Sequence, residues 1–324
     1  MMLLKFIIKR LVMMIPVMLG ITFISFVIIS LAPGNILTSL KMNPYISKQT
    51  ISMMEQAYGL NKPLIVRYGL WLWQVLHLNL GTSIYYHAPV LSLILSRAMN
   101  TLILSLSAIV VSWLLALPFG IVSGMREQSL FDRTASVLNY IGISIPSFFL
   151  AFIMLLIAAK TGVLPTGGTT SPLYGLLSPA DKVYDRFIHL IMPVTALAVP
   201  QIASYARLIR VNIIEVKRSE FVTAAKARGI TNRRVVSLHI LKNALNPFIT
   251  LAGYDFAGLL GGAALVETIL NLQGLGTLLL KAVMSMDVFL IMGDVLIGAG
   301  MLLLGNLIAD IALMTIDPRI KAQT

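Results

Sequence analysis

Long apolar runs, separated by short polar stretches, dominate the chain. Six of these runs reach the roughly 17 to 25 residues that an α-helix needs to cross a bilayer. They cover residues 11–31, 101–122, 135–159, 190–208, 247–266 and 288–316. Pro193 and Pro200 interrupt the fourth run, which a membrane helix tolerates because neighbouring helices satisfy the freed backbone groups. The pattern predicts an all-α integral membrane protein with six transmembrane helices.

The composition agrees with this prediction. Hydrophobic residues make up 57% of the chain and charged residues 12%, whereas a soluble domain carries about 25% charged residues. The run at 11–31 is longer than the roughly 7 to 15 apolar residues of a signal peptide, and no small-x-small cleavage site follows it. We therefore expect it to remain as the first span. The absence of cysteine excludes disulfide bridges and thiolate metal sites.

Basic residues are distributed unequally between the two sides that six helices would define. Sixteen lie on the side of the termini: Lys5, Lys9, Arg10, Arg126, Arg133, Arg207, Arg210, Lys217, Arg218, Lys226, Arg228, Arg233, Arg234, Lys242, Arg319 and Lys321. The shorter loops opposite hold four, namely Lys160, Lys182, Arg186 and Lys281. Because cytoplasmic loops carry the excess of Lys and Arg, both termini are predicted to be cytoplasmic. The net charge of +12 follows from this asymmetry and suits anionic lipid headgroups, so nucleic-acid binding is not predicted.

These predictions divide the chain into four parts. They are the amino terminus with the first helix (1–31), an external loop region (32–99), a five-helix core (100–316) and a cytoplasmic tail (317–324). The core includes a polar, basic segment at 218–243 between the fourth and fifth spans. We call it the coupling segment, because its position on the cytoplasmic side suits contact with a soluble partner.

The external loop is too long for a plain connector, so we expect it to fold. Pro63 marks the start of a predicted helix. Its apolar positions have helical spacing: Ile65, Tyr68, Leu72, Val75 and Leu76. Trp71 and Trp73 suit a membrane interface. The helix either lies on the bilayer surface or forms a docking surface for a protein that delivers substrate.

The coupling segment begins with a predicted helix. Phe221, Ala224, Ala225 and Arg228 share one face at spacings i, i+3, i+4 and i+7. The two alanines are small enough to let that face approach another protein closely. The pattern therefore predicts a docking helix.

A sharp turn is predicted after that helix. Gly229 is expected to adopt the left-handed conformation that ends a helix. Thr231 is then the N-cap of a second helix, which carries Val235, Leu238 and Leu241. The segment is thus predicted as helix, turn and helix.

These residues resemble a known family. Thr223-Ala224-Ala225-x-x-x-Gly229 is similar to the EAA motif of ABC importer membrane subunits, with Thr223 in place of the Glu that names the motif. The stretch His239-x-Leu241-x-Asn243-Ala244-Leu245-x-Pro247 resembles its continuation in the dipeptide, oligopeptide and nickel group. Further matches stand in the family's order: Arg10-Leu11 with Pro16, Ala32-Pro33-Gly34, Asp132-Arg133, Ser144-Ile145-Pro146-Ser147-Phe148, Leu164-Pro165, Gly258 with Gly261-Gly262, Val266-Glu267-Thr268, Gly274-Leu275-Gly276, Asn306 with Asp310, and Asp317-Pro318-Arg319.

The resemblance implies a heteromeric importer in a bacterial cytoplasmic (inner) membrane. A homologous second permease subunit would share the pathway, two cytosolic ATPase subunits would dock on the coupling segment, and an external binding protein would present the substrate. The implied docking residues are Glu220, Phe221, Thr223, Ala224, Ala225, Arg228, Gly229, His239 and Asn243. His239 either orients the segment or is an ordinary interfacial residue. The chain has no phosphate-binding G-x-x-x-x-G-K-[ST] loop, so we expect no enzyme activity and no cofactor in it, with ATP and Mg²⁺ bound by the partners.

Acidic residues inside the spans are candidates for the pathway, because ionisable groups in lipid usually face a partner or a cavity. Asp255 lies mid-span and would either meet the amino group of a peptide or make a buried polar contact. Glu267 would either belong to an external gate or lie among headgroups. Asp294 is a further pathway candidate.

The substrate and the transport class leave alternatives. Within the resemblance, di- or oligopeptides are the first expectation, and nickel or a metal chelate the second. An ATP-independent channel or secondary transporter is the rival of another class, although no broken-helix repeat is visible. A membrane-embedded hydrolase would need a nucleophile with a base, and the sequence offers no such pair.

Overall fold

The computed structural model describes residues 2–32, 47–57, 59, 61–248, 255 and 263–316. In chain order, the first α-helices are α1 (Met2–Leu31), α2 (Lys48–Ala57), α3 (Leu64–Leu76), α4 (Val90–Met125), α5 (Leu130–Ser144), α6 (Ser147–Thr161), α7 (Pro179–Lys217) and α8 (Glu220–Ala227). They are followed by α9 (Asn232–Arg234), a π-helical stretch (Val235–Leu241), α10 (Lys242–Ala244), α11 (Leu275–Met284) and α12 (Val288–Ile316). Residues 263–269 are also helical.

The chain divides into two compact units. The first comprises Met1–Thr101 and Gln273–Leu304. It contains a two-stranded antiparallel hairpin, β1 (Thr82–Ser83) and β2 (Ala88–Pro89). The Ser83 hydroxyl donates to Asp287 Oδ2 over 2.7 Å, and the other Asp287 oxygen accepts the Leu290 N–H over 3.2 Å. Asp287 therefore holds the hairpin and caps the start of α12 with one carboxylate.

The second unit comprises Leu102–Leu272 and Gly305–Thr324. Its core has two clusters of buried apolar side chains. One contains residues of α4, α6 and α7 together with the helical stretch 263–269. The other joins the final turns of α4 and α7 to the coupling segment. The second cluster places the coupling segment directly against two of the long helices.

Four described helices are long and apolar enough to cross a membrane: Leu4–Leu31, Val90–Met125, Pro179–Lys217 and Val288–Ile308. They match the first, second, fourth and sixth predicted runs, and the first three have wider bounds than predicted. The helix that contains the last one, α12, has the predicted bounds 288–316. The helix α7 has 39 residues with Pro193 and Pro200 inside it, and at about 1.5 Å per residue it is longer than a bilayer core is thick. Most of the fifth run, 247–266, lies outside the described residues, as do the tail 317–324 and the glycines 258, 261 and 262.

The third run is not one straight helix as predicted. The helices α5 and α6 meet at an angle of 96°. Ile145, between them, is extended, with φ −92° and ψ 117°. The ring of Pro146 disfavours a helical conformation for the residue before it, and Pro146 lacks the N–H that would continue the ladder. Counted as one bent span, the pair brings the described candidates to five.

The external loop differs from the prediction in three respects. The predicted region 32–99 contains the first ten residues of α4, because that helix begins at Val90. The helix α2 was not predicted. Trp71 is only 4% exposed and packs with Phe26 and Met292, so of the two tryptophans only Trp73 is exposed. The helix after Pro63 is confirmed, with Pro63 as its N-cap residue.

Candidate functional site

The helix α8 presents one face to the chain's own core and another to the outside. Val222 is fully buried and Ala225 is 6% exposed, and both belong to the cluster shared with α4 and α7. Phe221 is 47% exposed, and Ala224 and Arg228 are exposed with it. The assignment of Ala225 to the docking face is therefore wrong, because the core takes that side of the helix. We call Phe221, Ala224 and Arg228 the outward face.

Charges and caps fix the limits of α8. Glu220 stands in its first turn and Lys226 in its last, where each opposes the partial charge of the helix end. Ser219 is the N-cap residue, but its hydroxyl donates to the Val216 carbonyl over 2.6 Å and caps α7 instead. Glu220 and Thr223 are exposed. The exposed surface of α8 is thus wider than its outward face.

The turn after α8 is confirmed. Gly229 has φ +74°. Its N–H donates to the Lys226 carbonyl over 3.0 Å, and the Ile230 N–H donates to the Ala225 carbonyl over 3.3 Å. These two bonds define a Schellman motif, which satisfies the last carbonyls of a helix. A Cβ at Gly229 would have open space around it, so the requirement for glycine is conformational.

The second half of the coupling segment is wound more loosely than predicted. Thr231 is the N-cap residue of α9, but its side chain makes no cap bond. Val235 and Ile240 are buried five residues apart, whereas Leu238, one of the three apolar residues named in the predicted helix, is 49% exposed. A π-helix has i to i+5 hydrogen bonds and hence a wider turn, so its buried face recurs at a longer spacing than in an α-helix.

The polar residues of this half support the backbone. The Asn243 side-chain amide donates to the His239 carbonyl over 2.7 Å. His239 itself is half-buried. Asn243 therefore stabilises the end of the π-helical stretch, and the His239 ring is partly accessible.

A buried ion pair joins three helices of the same unit. The Asp132 carboxylate, at the start of α5, accepts from Nη2 of Arg210 over 2.8 Å and also from its Nε. It further accepts from the Ser123 hydroxyl and from the Gln128 N–H, the latter over 2.9 Å. Asp132 is buried. Through Asp132, the bidentate pair fixes α5 and the end of α4 to α7. Arg210 lies three residues before Ile213, which belongs to the buried cluster that holds α8.

Two glycines let α4 and α7 approach closely. A Cβ at Gly120 would lie 2.8 Å from the Ala206 carbonyl oxygen, and one at Gly124 would lie 2.8 Å from Cβ of Ile213. The spacing Gly120-x-x-x-Gly124 is a known signal for close helix packing in membranes. Neither glycine nor the role of Arg210 was predicted, although the glycine spacing is readable in the sequence.

Asp255 makes a buried polar contact in this structure. Its carboxylate is 8% exposed. It accepts from the Tyr205 hydroxyl and, over 2.9 Å, from the Trp113 indole N–H. Both rings also contact Phe248 edge-on, at centroid distances of 5.1 and 6.2 Å. Phe248 lies just after the coupling segment, so this cluster continues from it into the unit.

The other two acidic candidates are also buried. Glu267 is 1% exposed, so its side chain is surrounded by protein. The turn that follows it carries a close contact, since the Gly168 N–H donates to the Leu270 carbonyl over 2.8 Å. Asp294 is buried in α12.

Comparisons with known proteins agree with this architecture. Residues 116–322 match the family described as "Binding-protein-dependent transport system inner membrane component", and residues 2–107 match the N-terminal domain of such membrane components. The oligopeptide transport system permease protein AppB of Bacillus subtilis is 37% identical over 98% of this chain and 99% of its own length. The dipeptide transport system permease protein DppB of Escherichia coli is 30% identical, with 98% and 99% covered.

A solved structure shows the same fold. A chain of the MetNI methionine ABC transporter, in an inward facing conformation, aligns with a TM-score of 0.52 at 18% identity. The alignment covers 69% of this chain and 96% of that chain. The family match over residues 116–322 and the two relatives, at 37% and 30% identity over 98% of the chain, show that the chain belongs to the family of binding-protein-dependent transport system inner membrane components.

Proposed function

We propose that this member of the family is one of two homologous permease subunits of an ATP-driven importer, and that its cargo is di- or oligopeptides. The support for the cargo is the similarity, over nearly the full length of both chains, to proteins named as oligopeptide and dipeptide permeases. The support for the mechanism is the coupling segment. Two cytosolic ATPase subunits bind ATP and Mg²⁺, and an external binding protein delivers the peptide.

One observation carries the proposal: α8 is rigidly held from one side and open on the other. Val222 and Ala225 fix it to the core, and the Schellman motif at Gly229 ends it sharply. The outward face offers an aromatic ring, a small residue and a guanidinium to a partner. A helix held in this way can transmit the movement of a bound partner to α4 and α7, because it is packed against them and cannot move independently.

The motion has a physical route into the spans. The buried cluster joins α8 to the end of α7, and the Asp132–Arg210 pair joins α7 to α5. Phe248 leads to Tyr205, Trp113 and Asp255. When ATP brings the two ATPases together, their movement shifts α8 and repacks these helices between two arrangements of the pathway.

The proposed topology has six transmembrane helices. Five are α1, α4, the bent pair of α5 and α6, α7 and α12. The sixth is the run at 247–266 that the sequence predicts, most of which lies outside the described residues. The excess of basic residues in the coupling segment orients it and both termini toward the cytoplasm. The protein is thus a multi-pass subunit of the bacterial inner membrane.

Reconstitution tests the proposal. The chain is purified with its second permease and ATPase subunits, placed in liposomes, and supplied with labelled tripeptide, binding protein outside and ATP inside. Peptide accumulation that needs all of these supports the importer. Uptake of Ni²⁺ in place of peptide would show that the cargo is nickel and not peptide. Solute or ion flux through this chain without ATP would contradict the ATP-driven mechanism.

A further inference from the structure

A polar cleft lies in the first unit, beside α1, α3 and the start of α12. Its volume is about 250 Å³. The polar side chains that line it are Gln56, Lys62, Arg67, Trp71 and Gln74. Two of these are cations, and none of the described lining residues is acidic. The cleft therefore favours an anionic ligand.

Arg67 is the central group of the cleft. Its guanidinium lies over the Phe26 ring, with Cζ 5.4 Å from the ring centroid. It is half-buried, and across the described parts of the chain it forms no ion pair with a carboxylate. A guanidinium has five N–H donors, and its preferred partners are carboxylate and phosphate groups. Arg67 can therefore bind an anion from outside the chain by donating hydrogen bonds to it.

Trp71 supplies a second, independent sign of a ligand. Its side chain is buried, and its indole Nε1–H has no acceptor among the described residues. A buried donor without an acceptor is costly, and Trp71 lines the same cleft as Arg67. An oxyanion bound in the cleft would offer an acceptor to both groups.

The cleft is built on a fixed frame. The Tyr68 and Thr22 hydroxyls lie 3.0 Å apart and share a hydrogen bond. The Tyr68 ring also contacts Phe23 edge-on at 5.2 Å and Trp71 at 5.9 Å. These contacts fasten α3 to α1, so Arg67 and Trp71 keep their places without a ligand.

The surroundings identify the source of the anion. Leu70 lines the cleft and is exposed, and α3 has three further exposed apolar side chains outside it: Ile65, Trp73 and Leu76. Exposed aliphatic and indole groups beside cations are typical of a membrane interface. We infer that the cleft binds the headgroup phosphate of an anionic phospholipid, with the acyl chains along the apolar residues of α3. The inference does not depend on the transported substrate.

Native mass spectrometry of the full chain tests the inference. The protein, in neutral detergent, is titrated with dioleoylphosphatidylglycerol, with dioleoylphosphatidylcholine, and with inorganic phosphate. We expect one saturable phosphatidylglycerol site, with phosphatidylcholine at least about tenfold weaker because its cation opposes Lys62 and Arg67. Millimolar phosphate should leave the lipid bound.

Variants locate the site. Arg67→Gln should weaken phosphatidylglycerol binding by about tenfold or more, and Trp71→Phe by a smaller factor. Arg67→Lys keeps the charge and should recover most of the binding. Arg97→Gln is the matched control, because Arg97 also lies over a ring, that of Tyr86 at 5.7 Å, but does not line the cleft.

The results that overturn the inference are specific. Equal binding of the two lipids, or equal effects of Arg67→Gln and Arg97→Gln on a folded protein, would reject the lipid site. Displacement of lipid by millimolar phosphate would assign the cleft to a free anion. Unchanged lipid binding in Arg67→Gln, with weaker capture of the external binding protein, would assign it to a protein partner.

Discussion

The outward face of α8 and the buried carboxylates of the same unit serve the chain differently. Phe221, Ala224 and Arg228 are exposed, and no core cluster includes them. Asp132 and Asp255 are buried, and each accepts hydrogen bonds from side chains of other helices. Substitutions on the outward face should therefore alter the binding of a partner without unfolding the chain. Substitutions of the buried carboxylates should destabilise the fold itself.

The largest expected effect is that of Asp132→Asn. It leaves the Arg210 guanidinium partly buried without its counter-charge and should lower the free energy of unfolding by about 3 kcal/mol or more. Glu127→Gln is the matched control, because Glu127 pairs with the exposed Arg218 over 2.6 Å; it should cost less than about 1 kcal/mol. Denaturation in detergent micelles measures both. Similar losses of unfolding free energy for Asp132→Asn and Glu127→Gln would show that the buried pair stabilises the fold no more than the exposed pair does.

Asp255→Asn should come next. An asparagine can accept only through its carbonyl oxygen, so Tyr205 or Trp113 would face an N–H₂ group and lose its acceptor. The expected loss is about 1 to 3 kcal/mol. In liposomes, uptake of peptides with free and with blocked amino termini should fall equally, in proportion to the folded complex. A selective loss for free amino termini, at matched folded protein, would instead place Asp255 in the pathway.

Gly124→Ala probes the contact of α4 with α7. The new methyl group would lie within 3.0 Å of both Ile213 and the Arg210 carbonyl oxygen, so the helices must separate. We expect a net loss of about 1 to 2 kcal/mol, since overpacking exceeds the gain in helix propensity. Gly298→Ala, at a helical glycine with nothing within 4 Å, should be neutral or stabilising. A neutral Gly124→Ala would show that the two helices do not need close approach.

Gly229→Val should have a small effect on stability and a large one on coupling. A β-branched residue at φ +74° is strained, by about 1 kcal/mol. The turn would open, and ATP hydrolysis stimulated by the loaded binding protein should fall severalfold in liposomes. Gly229→Asn, which tolerates the left-handed region, should retain most of the stimulation. Wild-type stimulation in Gly229→Val would reject the turn as a coupling element.

The sequence was most informative where the geometry is local. Gly229 could be predicted because a helix followed by glycine ends by its own backbone chemistry. Pro63 likewise marked the start of α3. The bend at Ile145–Pro146 is local too, and the residue before a proline could have predicted it. The bend was not predicted, because a hydropathy profile shows how long an apolar run is and not whether the helix bends within it.

The remaining features depend on tertiary packing. Whether Ala225 faces the core or a partner depends on Val222, Ile213 and the end of α4, which meet only in the fold. The Asp132–Arg210 pair joins residues 78 positions apart. The spacing of the buried residues Val235 and Ile240 follows from a π-helical stretch, which the sequence pattern did not predict. Sequence periodicity does not supply these contacts.

Cross-linking at the outward face tests the central claim most directly. The chain has no cysteine, so Ala224→Cys introduces a single reactive thiol on α8, and Leu176→Cys introduces one in an exposed loop before α7 as the control. With a short bifunctional reagent and the ATPase subunits present, Ala224→Cys should cross-link to an ATPase with a yield that changes on ATP binding, while its thermal stability matches the wild type. Leu176→Cys should not cross-link to it. Absence of an ATPase cross-link from Ala224→Cys in an assembled complex, or an equal yield from Leu176→Cys, would contradict α8 as the docking helix.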